Sequence, residues 1–263
     1  MFQCLYKCGS GAPSTQEYHI YPLSASILDI RLEKGIVCND CNKYFGNNLE
    51  NDFVHTHPLT SGRLNSKTKT RKGNTPKLFL KNGRIFTRED YADKCIFNIP
   101  VEPNIQREEK NNGDLVFASY YQPQKYNALT ISRVLCKMAI ESLFCFPRIF
   151  NPFDEQFEPI RKYARFGPSK EINFIWFAWR KVDHDGGMPK LLNFNNQTQN
   201  KIAWVVQLNL PRGTYVVPLI PINQIVMSPE DQKNWSVVDK PGVYEAEKEK
   251  IELNMRKVQN VPD

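Results

Sequence analysis

Apolar residues recur at helical spacing in one long stretch, at Ile131, Val134, Leu135, Met138 and Ala139, and Pro147 closes it. A second helical pattern covers about Phe153 to Phe166 and stops at Gly167-Pro168. Beyond it the periodicity changes. The runs Ile172 to Val182, Ile202 to Leu210 and Tyr215 to Ile222 are rich in β-branched and aromatic residues, separated by Gly, Asn and Pro, and predict strands. Leu78-Phe79-Leu80 and Arg84-Ile85-Phe86 predict a short hairpin turning at Asn82-Gly83. Residues 101–114 are polar and predict a loop, and the tail from Val243 to Val258 carries mixed charge with weak helical periodicity. The first sixty residues differ again: short apolar segments punctuated by Gly, Pro and paired cysteines. The pattern divides the chain into a compact unit at 1–60, a basic linker or arm at 61–90 and a mixed α+β domain at 91–263, with no internal repeat.

Composition fits this division. With 41% apolar residues among 263 the chain can build a substantial core. No apolar run is long enough to span a bilayer, so no membrane partner is expected. The N-terminus lacks a basic stretch followed by an apolar one, so a cytoplasmic location is expected. The net charge of +7 suits a polyanionic partner, and its distribution says more than its total. From Phe53 to Arg88 there is no Asp or Glu, while basic residues follow one another at Arg63, Lys67, Lys69, Arg71, Lys72, Lys77, Lys81, Arg84 and Arg88. Such a segment is either a solvated linker or a phosphate-contacting arm, with Lys67, Lys69, Arg71 and Lys72 as the candidate contacts to DNA.

Seven cysteines in a cytosolic chain do not suggest disulfides. Cys95, Cys136 and Cys145 are scattered and read as core fillers. Cys4, Cys8, Cys38 and Cys41 form two short pairs, each able to place two thiolates on one side of a tight turn. Two such knuckles complete a closed S₄ site of the kind that structural zinc favours. The metal would supply folding free energy to a segment too small to be stable through its own core.

Between the knuckles stands Glu17-Tyr18-His19-Ile20-Tyr21-Pro22, and the second knuckle continues as Cys41-Asn42-Lys43-Tyr44-Phe45-Gly46. Over roughly residues 2 to 55 the chain resembles the HNH, or His-Me finger, endonucleases of the four-cysteine subtype. Their pattern runs Cys-x-x-Cys, Glu-His-Ile-Ile-Pro, then Cys-x-x-Cys-Asn with an aromatic-Gly pair after it. The continuation through Leu49 and Phe53 is similar to that family's helix, with Phe45, Leu49 and Phe53 on one apolar face. The resemblance implies a zinc-stapled ββα-metal fold and hydrolysis of DNA phosphodiester bonds. It implies His19 as general base, since an imidazole titrates near working pH. It also implies Asn42 as a ligand of a catalytic Mg²⁺ or Mn²⁺, with Glu17 or, through water, Glu50 assisting.

The sequence departs from the pattern in two places. Where the family has Asp, Glu or His before the histidine, this chain has Tyr18, a poor ligand for a hard cation. Between Pro22 and Cys38 there is no Asn to orient the base. Two functions are therefore expected to compete: a metal-dependent endonuclease, and a catalytically impaired zinc module that binds nucleic acid without cleaving it. A homodimer would suit an enzyme that cuts both strands. His55 and His57 are read as helix-capping or solvent-facing, and His184 between Asp183 and Asp185 as part of a turn. Trp176, Trp179 and Trp204 are read as core rather than as stacking platforms.

Overall fold

A computed structural model describes residues 3–9, 12–22, 28–55, 73–74, 77, 126–182, 186–193, 204–211, 213–220 and 234–244, and the backbone of the strand segments between and after them. The basic residues Lys67, Lys69, Arg71 and Lys72, together with His57, His184 and the Asn82-Gly83 turn, lie outside the described residues.

The first unit is built from very short elements. Strand β1 (Tyr18–His19) pairs antiparallel with β2 (Arg31–Leu32), Tyr18 opposite Leu32 and His19 opposite Arg31. Helix α1 (Asn39–Phe45) follows, capped by Cys38, whose sulfur accepts the Cys41 N–H. A π-helical turn (Gly46–Glu50) leads into α2 (Asn51–Val54). Phe45, Leu49 and Phe53 are all buried, as their spacing predicts. A two-residue hairpin and two short helices cannot stand without other support.

That support comes from the second half. After β3 (Leu78–Phe79), β4 (Ile85–Tyr91), β5 (Lys94–Asn98), β6 (Gln106–Glu109), β7 (Leu115–Tyr121) and β8 (Tyr126–Asn127), the chain enters helix α3 (Ala128–Ser142). Asn127 caps it by accepting the N–H groups of Leu129 and Thr130 at 3.0 and 3.3 Å. Helix α4 (Glu158–Phe166) then packs against α3 and ends at Gly167, whose φ of 86° suits a residue without a Cβ. A five-stranded antiparallel sheet completes the fold, in the order β10 (Gly187–Asn196), β11 (Lys201–Leu210), β12 (Gly213–Pro218), β9 (Phe177–Lys181), β13 (Ser236–Val238).

Helix α3 explains how the parts combine. It touches β11 and β12 on one side and the π-helical turn and α2 on the other. It therefore buries residues around almost its whole circumference, Lys137 and Glu141 included. A single buried cluster runs from Cys4, Leu5 and Tyr6 through Leu135 and Ile160 to Val217 and Val238. Trp176, just before β9, is buried, and Trp179 and Trp204, within strands, are packed against the core, as their reading as core residues expects.

Three expectations change. The described residues of the tail are strands: Val243–Tyr244 forms β14 against β8, and Glu249–Met255 forms β15 against β7. Ile251, Leu253 and Met255 alternate at the strand period, which the charges between them obscured. Within the stretch read as loop, Gln106–Glu109 is a strand, because β7 offers it a partner. Strand β10 is too polar to announce itself and is drawn into the sheet by its pairing with β11. The hairpin pairing Leu78 with Phe86 and Phe79 with Ile85 matches its reading. Overall the fold is mixed α+β with a cysteine cluster near the N-terminus. Among the described residues no helix is long and apolar enough to cross a membrane.

Candidate metal centre and histidine site

The two knuckles meet. All four sulfurs of Cys4, Cys8, Cys38 and Cys41 lie within 4.8 Å of one another, with Cys4 to Cys41 at 3.9 Å and Cys8 to Cys38 at 3.4 Å. Four ligands about 2.3 Å from a tetrahedral zinc would have sulfurs about 3.8 Å apart. The donor set and its geometry therefore fit a structural zinc.

Local backbone builds this arrangement. Lys7 adopts a left-handed φ of 45°, and its N–H closes a turn on the Cys4 carbonyl at 2.9 Å. Leu5 N–H bonds the Ile36 carbonyl at 2.9 Å, which ties one knuckle to the other. The Cys38 N–H points at Cys4 Sγ at 3.4 Å, and Arg165, from the last turn of α4, donates Nε–H to Cys41 Sγ at 3.3 Å. The Arg165 guanidinium also lies over the Tyr44 ring at 3.9 Å, and Arg133 donates to the Tyr44 hydroxyl at 2.6 Å.

Without a cation, four crowded thiols cannot all ionise. The hydrogen bond with Cys41 leads the effects that draw Cys4 down to about 5. Burial pushes Cys38 up to about 11, and the bond to Cys4 followed by burial raises Cys41 strongly. A divalent ion would remove this conflict by offsetting the charge on the sulfurs.

His19 stands on β1 beside this cluster in the chain but faces different company. Its Nδ1 lies 2.8 Å from Asp29 Oδ1, and its side chain is a quarter exposed. Asp29 is held in turn by Arg31, through Nε at 2.8 Å and through Nη2. The carboxylate selects the tautomer with a proton on Nδ1, leaving Nε2 as the basic nitrogen. Burial lowers the His19 pKa below its usual value, against the pull of Asp29, so the imidazole is neutral at neutral pH.

The other candidates have different partners. Tyr18 donates its hydroxyl to Asn39 Oδ1 at 2.7 Å with Asn42 within reach, and burial raises its pKa. Glu17 pairs with Arg31 at 3.6 Å, and Glu50 pairs with Lys137 at 2.9 Å. The carboxylates expected beside Asn42 thus face cations of the protein itself. Among the described residues the cysteine cluster is the one group of three or more His, Cys, Asp or Glu side chains close enough to hold an ion. The residues present do not fit a carboxylate-bound Mg²⁺ or Mn²⁺ at Asn42.

The sequence reading missed three residues. Asp29 stands in the segment searched for an Asn and offers the same kind of oxygen. Lys137 interrupts an apolar helical face with Glu141 one turn later, a visible signal of a buried pair. Arg165 carried no signal, because its partner Cys41 is remote in the chain. Comparison of the chain with protein-family models, with curated proteins and with solved structures finds no match.

Proposed function

We propose that the chain is an endonuclease of the HNH kind, stapled by zinc on Cys4, Cys8, Cys38 and Cys41, with His19 as its general base on DNA. The observation that carries this reading is the His19–Asp29 pair at 2.8 Å, which leaves Nε2 basic on a partly exposed imidazole. Further support comes from the chain order β1, β2, α1, with the histidine on the first strand and the second knuckle opening the helix. In the step proposed, Nε2 takes a proton from a water as its oxygen bonds to phosphorus. The P–O3′ bond then breaks, leaving a 5′-phosphate and a 3′-oxygen that takes its proton from solvent. Asp29 holds the ring and stabilises the imidazolium that forms. The basic stretch containing Lys67, Lys69, Arg71 and Lys72 would supply phosphate contacts.

A second reading has its own observation. Tyr18, bonded to Asn39, stands where the family carries a metal ligand, and the nearby acidic residues are paired. This favours a zinc module that binds nucleic acid without cutting it. The discriminating experiment is supercoiled plasmid incubated with purified protein and Mg²⁺ or Mn²⁺, beside EDTA and His19→Ala. Nicking abolished by the alanine variant is expected, and the EDTA arm reports whether an added ion takes part. Plasmid retarded in a gel but uncut by zinc-loaded wild type would reject the enzyme in favour of the binding module.

A further inference from the structure

The carbonyls of His19 and Ile20 turn away from the hairpin and find a cation instead of a third strand. Lys137 Nζ, from the middle of α3, donates to the His19 carbonyl at 3.1 Å and the Ile20 carbonyl at 3.0 Å. The same ammonium contacts Glu50 at 2.9 Å and Glu141 at 2.8 Å, and its side chain is only 5% exposed. Tyr6, in the first knuckle, donates to Glu141 at 2.6 Å. Burial alone would deprotonate this lysine, but Glu141 and Glu50 outweigh it and keep the ammonium. Burial also pushes Glu141 up to about 7, against the pull of Lys137 and of the Tyr6 hydroxyl. One side chain of α3 thus joins the first knuckle, the π-helical turn and the strand that carries the histidine.

We propose that Lys137, held by Glu50 and Glu141, is a positioning residue for His19, so that helix α3 completes the histidine site. A strand of two residues makes too few ladder bonds to fix its own backbone. The ammonium sets where the His19 main chain sits, and Asp29 then sets how the ring turns. The proposal rests on the nuclease reading for its kinetic consequence, but not for its structural one.

The test uses the full chain with zinc bound. Lys137→Met leaves the buried Glu141 and the partly exposed Glu50 without their cation, so Lys137→Met/Glu141→Gln is made beside it. Leu135→Ala, on the same helix, controls for simple loss of stability. Two quantities are read: plasmid cleavage as kcat and KM, and the pH titration of the His19 imidazole by NMR. The His19 signal is picked out among the four histidines with His19→Ala. In the folded lysine variants kcat is expected to fall about 100-fold, as for a displacement of about 1 Å, with KM unchanged. The His19 titration is expected to move in the folded double variant, which removes one charge of each sign, and to stay in place in Leu135→Ala. A double variant that folds, cuts like wild type and titrates like wild type would overturn the proposal. So would failure of both lysine variants to fold, which would make Lys137 a folding residue. If wild type cuts nothing, the nuclease reading fails alone, and the titration decides the positioning by itself.

Discussion

At the scale of single residues, the site turns on which groups satisfy His19. An aspartate does for the imidazole what an asparagine would, and adds a charge. That charge favours the imidazolium, while burial disfavours it and wins. On the proposed nuclease reading, cleavage should therefore lose its base only as pH falls below the ordinary histidine value of about 6.5. Asp29→Asn removes the stabilising charge, so the imidazole becomes harder to protonate and the acid limb of the rate profile should move to lower pH. The rate on the plateau should drop roughly 10- to 100-fold, short of the roughly 10²- to 10⁴-fold contribution of a complete general base. A limb that stays in place would mean that Asp29 does not act on the ring.

At the scale of elements, the knuckles and the end of α4 form one device. Helix α4 delivers Arg165 to Cys41, and Arg133 of α3 holds the carbonyls of Ala164 and Arg165 at 3.1 and 2.8 Å. A hydrogen-bond donor and positive charge beside a thiolate steady a site whose sulfurs carry excess negative charge. Arg165→Met should still bind one zinc per chain when metal is in excess. Its release to a chromogenic chelator should be faster by about 10- to 100-fold. Release at the wild-type rate would limit Arg165 to its stacking on Tyr44. Both knuckles were legible because their spacing is local: Cys4 with Cys8 and Cys38 with Cys41 each turn within a few residues. That the four sulfurs converge required Leu5 to pair with Ile36.

At the scale of the whole molecule, the buried cluster continues from the first knuckle into the sheet. The cysteine cluster, loaded with zinc, and the sheet should then unfold together. Thermal melts followed by tryptophan fluorescence, reporting on Trp176, Trp179, Trp204 and Trp235, and by zinc release to a dye should give one shared midpoint. Stripping the metal should lower the fluorescence midpoint. Two separated midpoints would mean that the first unit and the sheet fold independently of one another.

What the sequence determined by itself were features that repeat or close over short distances. They are the two thiol pairs, the apolar faces of α3 and of Phe45-Leu49-Phe53, the strands rich in Val, Ile and Trp, and the histidine between the knuckles. Each follows from backbone geometry acting over a turn of helix or two residues of strand. Tertiary structure alone decided which charges meet: Lys137 with the His19 carbonyl, Glu141 with Tyr6, and Arg165 with Cys41. It also decided that the tail is strand, since β15 exists only because β7 offers a partner. The physical reason is the same in every case. Periodicity reports whether an element has a buried face, whereas a buried charge is stabilised only by the partner that faces it across the fold.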